Sequence, residues 1–262
     1  MFIIGERING MFKKVAQAVK DGDKRFIQDL AKKQVEAGAS ALDVNVGPSV
    51  SDPKSAMDWL VKTIAEVTDV PLAIDTTKIS VLEVGLKACK NKSIINSTSG
   101  SDEKLNAILP LAKKYNASVI GLTMDESGVP QDAAARTELA AKILSKALEY
   151  EINMEDLYID AVILPVNVAQ PHAEAVLETI RQCKILSDPP PKTILGLSNV
   201  SQGSLGRSLI NRTYLVMAVA SGLDAAIMDS LDKELMDSMI TAELLLNKQI
   251  YCDSYLDAYR KK

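Results

Sequence analysis

The chain has one histidine and three cysteines in 262 residues, and aromatic side chains make up only 4% of it. A single histidine, His172, argues against a Ser-His-Asp triad, a Cys-His pair or a polyhistidine metal site, because each needs an imidazole beside partner groups. His172 sits in "QPHAEA" behind Pro171, where a surface or helix-capping role is expected. Cys89, Cys183 and Cys252 lie far apart without a C-x-x-C pair, so neither a disulfide framework nor a zinc knuckle is suggested. They are read as three mostly buried free thiols in a reducing cytoplasm. No apolar run approaches the roughly 18 residues of a membrane span, and "MFIIGERING" lacks the basic and apolar parts of a secretion signal. Lys and Arg number 30 against 34 Asp and Glu, for a net charge of -4, and the lysines are dispersed. Neither a nucleic-acid partner nor a membrane is expected. No G-x-G-x-x-G loop follows any β-like run, which counts against an open doubly wound sheet with a dinucleotide site.

The composition is 47% hydrophobic, dominated by aliphatic residues that alternate between two periods. Short runs, apolar on both faces, predict parallel strands over 2–7, 41–46, 71–76, 93–98, 118–124, 157–163, 193–198 and 225–229. Segments of helical period lie between them. One opens with Asp52 as a cap and Pro53 at the first helical position, and the last is expected to run from 232 to 253. Eight strands with intervening helices give an α/β fold, a single (β/α)8 TIM barrel, read as one domain over 1–262. An open doubly wound sheet is the alternative.

Barrel sites form at the C-terminal ends of strands. Those ends carry Glu6 and Asn9, Asp43 and Asn45, Asp75, Asn96, Thr123, Asp160, Ser198 and Asn199, and Asp229. Any one of them could serve only a turn or cap, a reading that suits Asn45 and Asp229 best. Asp75 in "PLAIDTTK" and Asp160 in "LYIDAVIL" are harder to assign to turns, because an ionised carboxylate among apolar neighbours needs donors. Two such carboxylates and two carboxamides, Asn96 and Asn199, would suit a heterocycle with N–H donors and acceptors. The carboxylates could instead bind magnesium, but no phosphate loop accompanies them. Arg207, in "GSLGR", either lies in solvent or meets an anionic ligand tail.

"GERIN", "LDVNVGP", "AIDTT" and "IINST" resemble the pterin-binding barrel family, which includes dihydropteroate synthase and the folate domain of cobalamin-dependent methionine synthase. "LYIDAVILPVNVAQ" and "TILGLSNVSQGSLGR" look closer still to its methyltetrahydrofolate:corrinoid/iron–sulfur protein methyltransferases. The resemblance spans essentially the whole chain. It implies that Asp75, Asn96 and Asp160 hold the pterin edge, and that Asn199 lies near N5. Gly196, Ser198, Gln202 and Arg207 would complete the substrate site, with Asn199 and Asp75 as its catalytic residues. It also implies 5-methyltetrahydrofolate as methyl donor and no catalytic metal in this chain. The D-x-H-x-x-G motif of cobalamin domains is missing, so the corrinoid would be carried by a separate corrinoid/iron–sulfur protein, in the acetyl-CoA pathway. Such barrels are typically homodimers. The same resemblance leaves open another pterin transferase, or a folate-binding protein without turnover.

Overall fold

Side chains in a strand alternate between two faces, so a closed sheet sends every second residue inward. In the computed structural model, which describes residues 1–260, eight parallel strands close into a barrel in sequence order. The last two residues of the domain expected over 1–262 lie outside the described residues. The strands are β1 (Phe2–Asn9), β2 (Ala41–Asn45), β3 (Leu72–Asp75), β4 (Ser93–Ser99), β5 (Ser118–Leu122), β6 (Leu157–Asp160), β7 (Lys192–Gly196) and β8 (Ala225–Met228). The chain therefore forms the expected (β/α)8 barrel.

Ile4, Ala41, Ala73, Ile94, Ile120, Tyr158, Ile194 and Ala225 form one buried cluster within the ring. They make the interior a packed core rather than a pore. Outward-facing residues such as Leu42, Ile74, Ile95 and Val119 pack against the surrounding helices. These are α1 (Lys13–Asp21), α2 (Lys24–Glu36), α3 (Pro53–Ile64), α4 (Ile79–Ala88), α5 (Asp102–Tyr115) and α6 (Ala133–Glu149). They continue as α7 (Val166–Ala169), α8 (His172–Cys183), α9 (Arg207–Ala220), α10 (Lys233–Leu245) and α11 (Tyr255–Tyr259). Asp52 caps α3 as expected, accepting from the amides of Lys54 and Ser55 at 3.2 Å each, with Pro53 following it.

Several boundaries differ from expectation. Strand β6 stops at Asp160 rather than 163, because Val162 adopts φ +56° and turns the chain away. After Gly196 the chain coils into a 3-10 turn, Leu197–Ser201, instead of extending to 198. Helix α10 ends at Leu245, eight residues early, and Asn247 follows at φ +57°. His172 is buried rather than on the surface, at 9% exposure. Of the thiols, Cys183 is buried, Cys89 half-buried and Cys252 exposed, and all are free.

The loops that leave β1 and β2 touch at two glycines. A Cβ on Gly10 would lie 2.4 Å from the Val46 carbonyl oxygen, and one on Gly47 would lie 2.7 Å from that of Gly10. Both contacts are with backbone, which cannot rotate aside. Gly10→Ala is expected to lower stability by about 1–3 kcal/mol, the usual cost of overpacking, read as a lower urea midpoint at unchanged slope. A wild-type midpoint would show that the two loops are free to separate.

Candidate functional site

The inward positions change character towards the C-terminal ends of the strands. Two residues after Ile4, Ala41, Ala73, Ile94, Tyr158 and Ile194 come Glu6, Asp43, Asp75, Asn96, Asp160 and Gly196. All six line one cavity of about 350 Å³ at that end of the barrel. Asn9, Ser198, Asn199 and Arg207 line it too. The alternation that fills the core thus also delivers its polar ring.

Each acidic group in the ring is tied to a partner. Asp43, 2% exposed, accepts from Asn96 Nδ2 at 2.9 Å. Asp75 accepts from Asn45 Nδ2 at 2.7 Å. Asp160, 6% exposed, accepts from the Val162 amide at 2.7 Å and the Gly196 amide at 3.2 Å. Glu6 accepts from Ser198 Oγ at 2.7 Å, joining β1 to the turn that carries Asn199.

Burial dominates the electrostatics, because low-dielectric surroundings disfavour the charged carboxylate. It pushes the Asp160 carboxyl up to about 6 against the opposing amides and the Arg136 charge. Burial, reinforced by the neighbouring Asp75 carboxylate, holds Asp43 well above the ordinary range. Asp75 and Glu6 are raised by burial as well.

Asn199 is exposed, and its carboxamide takes no hydrogen bond among the described residues. Beside it, a Cβ on Gly196 would fall 3.1 Å from Asn199 Nδ2 and 3.9 Å from Asp160 Oδ2. Glycine therefore keeps the space between these two groups open. Arg207 donates from Nε to Ser201 Oγ at 3.1 Å and from Nη2 to the Ser198 carbonyl at 3.3 Å, bracing the turn from solvent.

Of the residues read from the sequence, Asp75, Asn96, Asp160, Gly196, Ser198, Asn199 and Arg207 come together at the cavity. Gln202 does not line it and is exposed. Asn9 also makes a local turn, accepting from the Met11 amide at 2.9 Å. Asp229 pairs with Arg7 at 3.3 Å and accepts from the Leu231 amide at 3.0 Å, a turn role. Asn45 does more than the turn read for it. It accepts from the Gly47 amide at 2.7 Å and also anchors Asp75. Glu6 and Asp43 were strand-end candidates left out of the substrate set, though their two-residue offset from Ile4 and Ala41 was legible. Arg136 was missed altogether, and nothing in "AAARTELA" distinguishes it from a solvated helical arginine. Among the described residues no group of three His, Cys, Asp or Glu side chains is placed to hold a metal ion.

A carboxyl whose pKa is higher folded than unfolded costs native stability as pH rises from its ordinary range through the raised value. Asp43→Asn removes that titration and retains an oxygen for Asn96. It is expected to melt near the wild type at about pH 4 and above it at about pH 8. Equal or lower stability at the higher pH would mean that Asp43 carries its charge without penalty.

The sequence matches the family described as "Pterin binding enzyme" over residues 6–229. It is 28% identical, over all of this chain and 97% of the relative, to the methylcorrinoid:tetrahydrofolate methyltransferase of Eubacterium limosum. It is also 28% identical to methionine synthase of Mycobacterium tuberculosis, over 87% of this chain but 20% of that protein. Among solved structures, dihydropteroate synthase of Yersinia pestis bound to a pterine–sulfa conjugate superposes with a TM-score of 0.70 at 16% identity, covering 95% of this chain and 94% of that one. The dihydropteroate synthase of Thermus thermophilus gives 0.66 at 15%, covering 95% and 94%. At such identities the structural likeness concerns the barrel alone. With the family match running from Glu6 to Asp229, the first and last polar strand exits, the chain belongs to the pterin-binding enzyme family.

Proposed function

We propose that this protein is a methyltransferase that moves the N5 methyl group of 5-methyltetrahydrofolate to a cobalt(I) corrinoid carried by a separate protein. The observation that carries the reading is the convergence of Asp75, Asn96, Asp160 and Asn199 on one cavity. Full-length similarity to a methylcorrinoid:tetrahydrofolate methyltransferase supports the reaction class. The runs "LYIDAVILPVNVAQ" and "TILGLSNVSQGSLGR" favour a corrinoid/iron–sulfur protein as acceptor, within the acetyl-CoA pathway. We further propose a cytoplasmic homodimer.

A pterin's 2-amino-4-oxo edge offers amino and N3–H donors together with a carbonyl. Asp75 and Asp160 meet the donors. Each carboxylate oxygen has two acceptor sites, so capacity remains after the internal bonds to Asn45, Val162 and Gly196. Asn96 uses one amide hydrogen on Asp43 and keeps its other hydrogen and its oxygen for the ligand. Raised carboxyl pKa values serve this role, because N–H donors favour the charged form that burial disfavours.

Methyl transfer from N5 is slow because the departing amine is a poor leaving group until protonated. Asn199 is not an acid, but its carbonyl stabilises a proton on N5 by accepting from it. Its exposed amide is held at the mouth by a turn fastened to Glu6 and Arg207. The corrinoid supplies the cobalt nucleophile that takes the methyl group. Met11 lines this opening, and Leu205 and Leu209 flank Arg207 in the chain. Exposed at 72%, 97% and 63%, the three give a carrier protein apolar surface to meet.

Mixing the protein with 5-methyltetrahydrofolate and cob(I)alamin is expected to bleach the cobalt(I) visible band as that of methylcobalamin grows. Persistence of cob(I)alamin at saturating folate would refute the proposed reaction. In single-turnover kinetics, Asn199→Ala is expected to slow this step by roughly 10²–10³, with folate affinity falling less than the rate. A normal rate in a folded Asn199→Ala chain would reduce Asn199 to the terminator of β7.

A further inference from the structure

Arg136 on α6 is wholly buried, yet none of its hydrogen bonds goes to a carboxylate. Its Nε donates to the Pro130 carbonyl at 2.8 Å. Its Nη1 donates to the carbonyls of Ala161 at 2.5 Å and Val162 at 3.1 Å, and its Nη2 to His172 Nδ1 at 2.5 Å. A guanidinium only donates, so Nδ1 of the single histidine must be its unprotonated acceptor. Burial, with the Arg136 charge adding to it, lowers the His172 pKa and keeps the ring neutral.

The two carbonyls on Nη1 belong to the residues directly after Asp160. Val162 is β-branched and has φ +56°, a conformation such residues resist unless the surroundings enforce it. That turn brings its amide to Asp160 Oδ1 at 2.7 Å. The groups whose charges act on Arg136 or Asp160 are few. Asp132 is exposed at the cap of α6. Tyr214 of α9 is held neutral by burial and donates to the Ala173 carbonyl at 2.8 Å. His172 of α8 is neutral, which leaves Arg136 as the formal positive charge acting on Asp160.

We propose that Arg136, seated on His172, is a positioning residue for Asp160. It holds the Ala161–Val162 turn that aims the carboxyl, and its charge favours the carboxylate form that the pterin edge requires. This rests on the reading that Asp160 faces folate.

The test is equilibrium binding of 5-methyltetrahydrofolate between about pH 5 and pH 9. In the wild type, affinity should rise with a midpoint near the Asp160 value of about 6. Arg136→Met should move that midpoint up by about one unit or more and weaken binding roughly tenfold at high pH. Arg136→Lys should keep the midpoint but bind less tightly, since one ammonium cannot reach all four acceptors. Neither Arg136 variant should weaken binding further once Asp160→Asn is present. A purely structural Arg136 would lower melting temperature without moving the midpoint, and that result, or full additivity with Asp160→Asn, overturns the proposal. If Arg136→Met does not fold, His172→Leu takes its place. It should weaken binding in the wild-type background but not with Asp160→Asn, and equal losses in both overturn the proposal. A wild-type chain that binds no folate refutes the functional reading and this inference with it. A wild type that binds beside variants with unmoved midpoints refutes only the role of Arg136.

Discussion

Desolvation of carboxyl groups is the constraint on which this site depends. Asp43, Asp75, Asp160 and Glu6 stand at the end of a packed barrel interior, where burial limits how well water solvates their charges. An unpaired carboxylate there would be costly, and each is given a donor: Asn96, Asn45, two backbone amides and Ser198. The donors do not exhaust the acceptor capacity. What remains is a ring of carboxyl oxygens favouring N–H donors over water, and the edge of a pterin presents such donors. Recognition and electrostatic tension share one origin.

The barrel makes this possible because its interior alternation continues unbroken into its mouth. Ala73 fills core while Asp75, two residues on, lines the cavity; Tyr158 and Asp160 repeat the arrangement. The turn that carries Asn199 is separate. Asn199 lies on the 3-10 turn after β7, fixed from one side by Glu6 and from the other by Arg207. The groups proposed to bind the pterin edge therefore sit on strands, and the group proposed to meet the developing charge at N5 sits on a braced loop. A rigid strand position suits a fixed pterin edge. A turn at the opening suits an atom that, in the proposed reaction, a partner's corrinoid would have to approach.

Much of this was legible in the sequence, for reasons that can be stated. Parallel strands buried on both faces read as apolar runs, so the eight strands and their order were visible. A charge inside such a run, as at Asp75 and Asp160, draws attention because the run predicts burial. Helix α1 carries a buried stripe at helical spacing, Val15, Ala18 and Val19, between two β-like runs. The end of β6 could not be read, since a valine at positive φ contradicts its own preference and is imposed by contacts with α6. Arg136 and His172 were obscured for the same reason. Their pairing joins residues 36 apart in sequence, and local pattern carries no signal of it. Gln202, assigned to the substrate site through the family resemblance, is exposed and outside the cavity lining, because the chain turns outward after the 3-10 turn.

The central claim, that desolvated carboxyls become charged when a pterin edge docks on them, is tested most directly by proton release. Titration calorimetry of 5-methyltetrahydrofolate at about pH 6, in buffers of different ionisation enthalpy, counts the protons exchanged on binding. The account predicts net release near that pH, smaller release at about pH 8, and loss of the Asp160 contribution in Asp160→Asn. Binding of the same affinity with identical proton exchange in wild type and Asp160→Asn would contradict it, showing that the carboxyl at the end of β6 does not meet the ligand.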